Sequence, residues 1–444
     1  MTIHLETSRM RASRVPSGVS DEDWEGLQGR FASAHDVVRA RIAAGSYGFA
    51  DLASQDAEHA RMCAWVATTH GRYDDIVVLG IGGSALGATM LATALLPYGW
   101  NARQGAQRGG RPRLHVVDNV DPRSVAGVFD LIELSRTLFL VISKSGGTAE
   151  TMAQYLYVRH RIDEQGLLAA HHVAVVTDPT AGVLRPVAER DGLPVFSVPA
   201  NVGGRFSLFT PVATLPAALV GIDVTALRTG AAAMGQACET EVLDANPAGQ
   251  FAMLQWRAHT GAGQGTHVLM PYSDAMRGLA PWFVQLWAES LGKQDADGVP
   301  VGPTPLAALG ATDQHSQVQL FMEGPKDKTV TFVVERARAV DLSIPGLPGA
   351  PEGTDYLAGR TMGTLLDAEQ AATADALAAM GRPSMTLSVD RCDPWHLGGL
   401  AMLFMRATVL AGALYRVDPT NQPGVELGKQ LARQALAASA PRSR

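Results

Sequence analysis

Short apolar runs alternate with stretches of helical periodicity along most of the chain. The runs are rich in valine, isoleucine and leucine without polar alternation, which is typical of parallel strands buried on both faces. Strands are predicted in the first half at Ile76–Ile81, Leu114–Val117, Leu138–Ile142, Val173–Thr177 and Val195–Val198. In the second half they are predicted at Val268–Pro271, Gln317–Phe321, Val330–Val334 and Thr386–Val389. Strands that alternate with helices predict an α/β fold with two doubly wound parallel sheets.

Helical patterns at both ends frame these two α/β halves. The length of 444 residues favours more than one domain, because single cores stop growing well below that size. We predict a helical N-terminal segment at 1–70, a first α/β domain at 71–225, a second at 226–400 and C-terminal helices at 401–444. Two stretches rich in proline and glycine, Asp297–Gly310 and Ile344–Gly353, are predicted to be loops.

Composition narrows the classes of function. Charged residues make up 18% of the chain and apolar residues 46%, which argues against a disordered or coiled-coil protein. The net charge of −6 argues against nucleic acid or an anionic membrane as a partner. Three widely spaced cysteines and the absence of metal-binding motifs predict no metal and no other cofactor. The chain begins without a signal-peptide pattern and contains no apolar run that looks long enough to span a bilayer, so we expect a cytoplasmic protein.

A glycine-rich turn follows the first predicted strand. The segment Gly80–Ala85 joins this strand to a helix. Its glycines let backbone N–H groups turn toward a bound anion, which the helix start also attracts. The same residues nearly fit the dinucleotide-binding fingerprint, but the acidic residue expected about twenty positions later is missing. Because Asp118 ends the next strand, a nucleotide-dependent enzyme stays open as an alternative.

A second strand-to-helix junction carries more specific chemistry. The third predicted strand leads into Ser143–Thr151, which brings four hydroxyl groups, one ammonium group and two glycines to a predicted helix start. This is the composition expected for binding a phosphate monoester through side-chain and backbone donors. Serine and threonine also cap helices commonly. So many donors after an apolar strand nevertheless favour phosphate binding.

Six motifs occur in order along nearly the whole chain, from about Asp75 to Ala435. They read GIGGSALG, SKSGGTAET, NVGGRFSLFTPV, QLWAESLGK, TDQHSQVQLFMEGP and NQPGVELGK. Through them the chain resembles the phosphoglucose isomerase family, which is built from two sugar-isomerase (SIS) domains. The resemblance implies an aldose–ketose isomerase without metal or cofactor, which interconverts glucose 6-phosphate and fructose 6-phosphate in glycolysis and gluconeogenesis. The family commonly has threonine where this chain has Gly147, and we expect this departure to change affinity only slightly.

The resemblance assigns the proton-transferring base to Glu289. Gln285 and Glu289 lie four residues apart in a helical pattern, so they share one face of the helix. A helical glutamate is by default a solvated surface residue. The match to the family makes Glu289 the base instead, and it makes Gln285 a substrate contact. A shielded carboxylate suits the removal of a weakly acidic C–H proton next to a carbonyl group.

Three further side chains take catalytic roles through the same resemblance. His315 becomes the acid or base that opens the sugar ring, donated by the partner subunit of a homodimer. Lys429 assists ring opening, and Arg205 stabilises the enediolate. Without the resemblance, His315 would be a structural residue and Lys429 would form a helical salt bridge with Glu426. Arg205 would by default lie on the surface. The other predicted substrate contacts are Gly83, Ser84, Ser143, Lys144, Ser145, Gly147, Thr148 and Gln422.

Two neighbouring functions also stay open at this point. A non-catalytic regulator that binds sugar phosphates would need only the two phosphate loops. An isomerase with a wider specificity would accept mannose 6-phosphate as well.

Overall fold

The structure is a computed structural model that describes residues 3–438, so the outermost residues of the two predicted terminal segments lie outside it. The strands are β1 Ile3–Glu6, β2 Asp75–Leu79, β3 Arg113–Val117, β4 Thr137–Ile142, β5 Val173–Thr177, β6 Val195–Ser197, β7 Thr266–Pro271, β8 Lys293–Gln294, β9 Pro300–Val301, β10 Thr304–Ala307, β11 Lys328–Glu335 and β12 Ser384–Val389. The helices are α1 Asp21–Ala43, α2 Asp56–Thr68, α3 Leu86–Leu95, α4 Pro122–Leu131, α5 Ala149–Glu164, α6 Ala169–His172, α7 Leu184–Arg190, α8 Pro211–Leu219, α9 Val224–Ala237, α10 Pro247–Ala262, α11 Leu279–Leu291, α12 Val318–Glu323, α13 Met362–Ala379, α14 Pro394–Tyr415 and α15 Glu426–Ala438.

The first sheet is wholly parallel, with the strand order β3-β2-β4-β5-β6. Every residue of β2, β4 and β5 is buried, as expected for strands covered by helices on both faces. The chain leaves β2 toward one edge of the sheet and returns at β4 to build the other edge. The order therefore reverses between β2 and β4, which is where ligands bind in open α/β sheets.

The second sheet has the order β1-β12-β11-β7-β10. Four of its strands are parallel, and only β1 pairs in the antiparallel direction, with β12. The prediction of an α/β fold with two parallel sheets is confirmed. The domain limits stay a prediction, with α14 running through the limit placed at residue 400 and β1 lying in the segment predicted to be helical.

Two local predictions are wrong. Gln317–Phe321 was expected to be a strand, but Val318–Glu323 forms helix α12. Val318, Phe321 and Met322 pack on one core cluster, and this spacing of three and four residues is helical. The stretch Asp297–Gly310 was expected to be a loop, yet it contains β9 and the edge strand β10. The loop predicted at Ile344–Gly353 contains no helix or strand.

The expectation that no apolar segment is long enough to cross a membrane is wrong for helix α14. Its 22 residues pass that test by length and composition. Its most apolar window is 89% buried inside the protein, however, which is the environment of a central core helix. It packs against α9, α10 and α11, and so it forms the support behind the helix that carries Glu289.

Candidate active site

The two glycine-containing loops meet where the strand order of the first sheet reverses. One follows β2 and the other follows β4, and these strands are neighbours in the sheet. A side chain at Gly80 would bring its Cβ within 3.2 Å of the Ile142 carbonyl oxygen, so the loops touch at their origins. The fold thus brings both predicted phosphate loops to one edge of one sheet.

The first loop also contacts the elements that carry Gln285 and Arg205. Gly82 has a φ of +56°, and a Cβ there would lie 2.8 Å from the Gln285 amide nitrogen. At Gly83, a Cβ would lie 2.4 Å from the carbonyl carbon of Gly204. The left-handed φ favours glycine at position 82, and the close backbone of Gly204 leaves no room for a side chain at position 83. Ser84 is half-buried at the end of the same turn, just before helix α3.

The second loop presents a cluster of hydroxyl groups. The buried Ser143 Oγ lies 2.9 Å from Thr148 Oγ1, and Ser145 Oγ lies 3.4 Å from the same atom. The backbone N–H of Gly147 donates to Ser145 Oγ at 3.4 Å. Thr148 precedes helix α5 but makes no side-chain capping bond. The hydroxyl groups therefore bond to one another at the helix start, where a phosphate would be favoured, rather than serve as a simple cap.

Lys144 links this loop to the segment that leads to Arg205. Its ammonium group donates to the carbonyl oxygen of Ala200 at 2.7 Å. Burial lowers the pKa of Lys144, against the attraction of Asp178. The ammonium group is thus partly removed from water at its contact with Ala200.

Helix α11 presents Glu289 to a cleft, and Gln285 lies one turn earlier on the same face of the helix. The buried face of the helix carries Phe283 and Trp287, which stack on each other and contact aromatic side chains of α10 and α14. On the other face, the amide nitrogen of Gln285 donates to Glu289 Oε2 at 3.3 Å. The Glu289 side chain retains 29% of its exposure, because it lines a cleft of about 940 Å³.

Arg205 is almost fully buried, with 5% exposure. Its Nε donates to Ser290 Oγ at 2.7 Å, and its Nη1 donates to Gln422 Oε1 at 3.0 Å. Its Nη2 donates to the carbonyl oxygens of Pro419 and Asn421. Burial lowers the pKa of Arg205, although Glu289 and Asp418 oppose this effect, and a guanidinium group stays charged in proteins. Contrary to the default for an arginine, this one is a fixed cation in the wall of the site.

Two predicted site residues lie away from this cluster. His315 is exposed at the end of a 3-10 turn, and no hydrogen bond to its side chain is found within residues 3–438. Lys429 is also exposed, on helix α15, and its ammonium group donates to Glu426 at 2.7 Å. Lys429 therefore makes the helical salt bridge that was the alternative interpretation from sequence.

Sequence reasoning missed three residues of the site. Ser290 directly follows Glu289 within one quoted motif, and Lys293 lies four positions beyond Glu289 in the same motif. Asp418 precedes the motif that contains Gln422, and its carboxylate accepts bonds from the Thr420 backbone and hydroxyl groups. The spacing of Lys293 from Glu289 was a usable signal, whereas nothing local marks Asp418.

Comparisons with known sequences identify the family to which the chain belongs. The model of the family described as phosphoglucose isomerase matches residues 48–443. The chain is 45% identical over 361 residues to a glucose-6-phosphate isomerase of Rubrobacter xylanophilus, which covers 80% of the chain and 81% of the relative. It is 39% identical over 418 residues to a glucose-6-phosphate isomerase of Carboxydothermus hydrogenoformans, with coverage of 93% and 89%.

Solved structures agree as well. A hypothetical protein of Thermus thermophilus superposes with a TM-score of 0.88 at 35% identity, covering 98% of this chain and 100% of that one. A glucose-6-phosphate isomerase of Chlamydia trachomatis superposes with a TM-score of 0.83 over 99% of this chain and 89% of that one, and at 22% identity it supports the fold alone. Sequence and fold together place the chain in the phosphoglucose isomerase family.

Proposed function

We propose that the chain is a cytoplasmic isomerase that reversibly converts glucose 6-phosphate into fructose 6-phosphate in glycolysis and gluconeogenesis. The observation that carries the proposal is the position of Glu289 in a cleft, bonded to Gln285 and 3.8 Å from the Arg205 guanidinium group. Relatives with 45% and 39% identity are named glucose-6-phosphate isomerases, which supports the same substrate pair.

The second loop, Ser143–Thr148, which we call the hydroxyl loop, would hold the phosphate group. Ser143, Ser145 and Thr148 offer hydroxyl donors, and Gly147 offers a backbone donor, at the N-terminal end of α5. Lys144 would add a partly desolvated positive charge nearby. The Gly80–Ser84 loop, which contacts this phosphate loop, would lie along the sugar between the phosphate site and Gln285. Substrate held at both ends in this way has its reacting carbons fixed against the base.

Glu289 would transfer the proton between the two carbons of the open-chain sugar. Its carboxylate takes the proton from C2 of the aldose, the C–H electron pair forms the C1=C2 double bond, and the carbonyl electron pair moves to O1. A proton exchange between O2 and O1 then leaves the negative charge on O2. As the O2 electron pair forms the new carbonyl group, C1 takes the proton back from Glu289, which yields the ketose and restores the carboxylate. One residue thus serves as base and then as acid.

Arg205 would stabilise the enediolate that forms between these two transfers. Its guanidinium group is held by bonds to Ser290, Gln422 and two backbone carbonyl groups, so it stays fixed beside Glu289. A fixed cation beside developing negative charge stabilises the transition state without reorganisation. Gln285 and Gln422, which bond to Glu289 and Arg205, would orient the sugar hydroxyl groups.

Ring opening would require His315 and Lys429, which lie outside the cleft of a single chain. His315 is exposed, as a residue offered to a second subunit must be, and we propose a homodimer in which it enters the partner's cleft. Helix α15 begins beside the residues Pro423–Val425 that line the cleft. A rotation about this turn would exchange the salt bridge of Lys429 with Glu426 for a contact with the sugar.

A coupled assay on the purified protein tests the proposal. The formation of fructose 6-phosphate from glucose 6-phosphate, and the reverse reaction, are followed with and without a metal chelator. Turnover unaffected by the chelator is the expected result, since the proposed residues need no metal. Binding of sugar phosphate without turnover would instead identify a non-catalytic regulator, and comparison with mannose 6-phosphate defines the specificity.

A further inference from the structure

Lys293 connects the end of the Glu289 helix to the loop that carries Gln422. It lies just beyond the last residue of α11, and its ammonium group donates to the carbonyl oxygen of Ser290 at 2.9 Å. It also donates to the carbonyl oxygen of Asp418. Lys293 lines the same cleft as Glu289 and Gln422. One side chain thus bridges two segments that are 125 residues apart in the chain.

Arg205 makes the parallel connection between the same two segments. It binds the hydroxyl group of Ser290, whereas Lys293 binds the carbonyl group of that residue. On the loop, Arg205 binds the carbonyl groups of Pro419 and Asn421, and Lys293 binds that of Asp418. The last turn of α11 and the loop 418–422 are therefore joined by two cations side by side. Removing one of them leaves backbone acceptors without a charged donor.

The choice of lysine at this position is unusual for this chain. Arginine and lysine together number 37, but only five are lysines: Lys144, Lys293, Lys326, Lys328 and Lys429. A lysine ammonium group is compact and can change its protonation state, whereas a guanidinium group is planar and permanently charged. Lys293 is also the only lysine in the described chain that shares the cleft with Glu289.

We propose that Lys293 is a positioning residue of the isomerase, which holds Gln422 and the loop 418–422 against the Glu289 helix and adds positive charge to the cleft. This inference rests on the proposed function. Lys293 acts through Gln422 and Arg205 rather than by contact with the reacting carbons. Its loss would let the loop move away from α11 and would weaken the field that favours the enediolate.

The charge on Lys293 is sensitive to pH near neutrality. Burial and the neighbouring Arg205 lower the pKa of Lys293 to about 8, against the attraction of Asp418 and Glu289. As pH rises through this value, the ammonium group loses its proton, its bonds to the two carbonyl groups weaken, and the positive charge disappears. The activity is therefore expected to fall on the alkaline side with an apparent pKa near that of Lys293.

The test compares Lys293→Met, Lys293→Arg and the control Lys326→Met, in which an exposed lysine outside the site is changed. We expect Lys293→Met to lower kcat/KM about 10- to 100-fold at neutral pH, as for the loss of a charged hydrogen-bond donor. Lys293→Arg should retain most of the activity that Lys293→Met loses. It should also move the alkaline limb of the pH–activity profile upward by at least about one pH unit, because arginine stays charged. Lys326→Met should behave as the unmodified protein.

Each outcome of this experiment decides something different. If the unmodified enzyme is active and Lys293→Met has the same kinetics, the inference is wrong. It is also wrong if the alkaline limb of the pH profile is the same in Lys293→Arg as in the unmodified enzyme. An unmodified protein without isomerase activity overturns the proposed function and the inference with it. If Lys293→Met fails to fold, as circular dichroism would reveal, the pH profile of Lys293→Arg decides alone.

Discussion

The Nη1 atom of Arg205 lies 3.8 Å from Oε2 of Glu289, close enough for strong attraction but beyond hydrogen-bonding distance. The same nitrogen donates to Gln422 instead. The carboxylate is therefore faced by a positive charge without being locked to it, and one oxygen keeps lone pairs with which to accept a proton. This arrangement suits a base that must also let go of the proton it takes.

Replacing the base tests the role of this carboxylate. We expect Glu289→Gln to lower kcat by about 10² to 10⁴, since the amide keeps the size of the side chain but cannot take a proton. Binding of fructose 6-phosphate, followed by tryptophan fluorescence, should change little because the phosphate loops are intact. The exposed Glu25→Gln on α1 serves as control. Retention of most activity in Glu289→Gln would mean that another residue is the base.

Replacing the fixed cation separates charge from geometry. Arg205→Lys keeps the positive charge but cannot serve Ser290, Gln422 and two carbonyl groups together. We expect kcat to fall by about 10² to 10³, and the free energy of unfolding in urea to fall by about 1–3 kcal/mol from unsatisfied buried acceptors. The exposed Arg123→Lys is the matched control. If Arg205→Lys had an unchanged kcat but a reduced stability, the role of Arg205 would be structural only.

The first sheet follows closely from its sequence, because its strands are continuous runs of β-branched and other apolar residues buried on both faces. The predicted Leu138–Ile142 and Val173–Thr177 differ from β4 and β5 by at most one residue. Short or edge elements lack such a pattern. Gln317–Phe321 is too short for its period to be decided, and β10 contains Pro305, which is tolerated there because β10 is an edge strand.

Some features of the site can likewise be predicted from nearby residues in the sequence, whereas others depend on residues far apart in the chain. The shared face of Gln285 and Glu289 follows from a spacing of four residues, and their hydrogen bond agrees with it. The burial of Arg205 was not predictable, because its acceptors at Pro419 and Asn421 come from more than 200 residues away. Contacts across such separations leave no local period in the sequence, and only the fold reveals them.

The hydroxyl loop predicts an effect on substrate affinity. We expect Ser145→Ala combined with Thr148→Ala to raise KM for both sugar phosphates at least about tenfold, as for lost hydrogen bonds to a charged group, while kcat changes little. Steady-state kinetics in both directions measure this. Ser33→Ala, an exposed hydroxyl on α1, is the control. A fall confined to kcat would contradict phosphate binding by this loop.

Gly147 offers a substitution that should improve binding. A Cβ atom there would meet nothing closer than 4.0 Å, and Gly147 is not among the glycines with positive φ. We expect Gly147→Thr to fold normally and to lower KM a few-fold by adding a hydroxyl donor. Gly82→Ala is the contrasting variant, because a φ of +56° strains an alanine and its methyl group would displace the Gln285 amide nitrogen, which would lie only 2.8 Å away. A higher KM in Gly147→Thr would contradict this account.

Exposed His315 and cleft-lining Glu289 allow a direct test of the proposed dimer. His315→Ala and Glu289→Gln should each be nearly inactive as separate homodimers. If His315 serves the partner's cleft, a mixed dimer contains one site with both defects and one site with neither. Random exchange of equal amounts makes half of the dimers mixed, so about a quarter of the unmodified activity should return.

Light scattering first establishes the dimer, and mixing after cross-linking each homodimer is the control that should restore nothing. If His315 served its own chain, every site would keep one defect, and mixing would recover no activity.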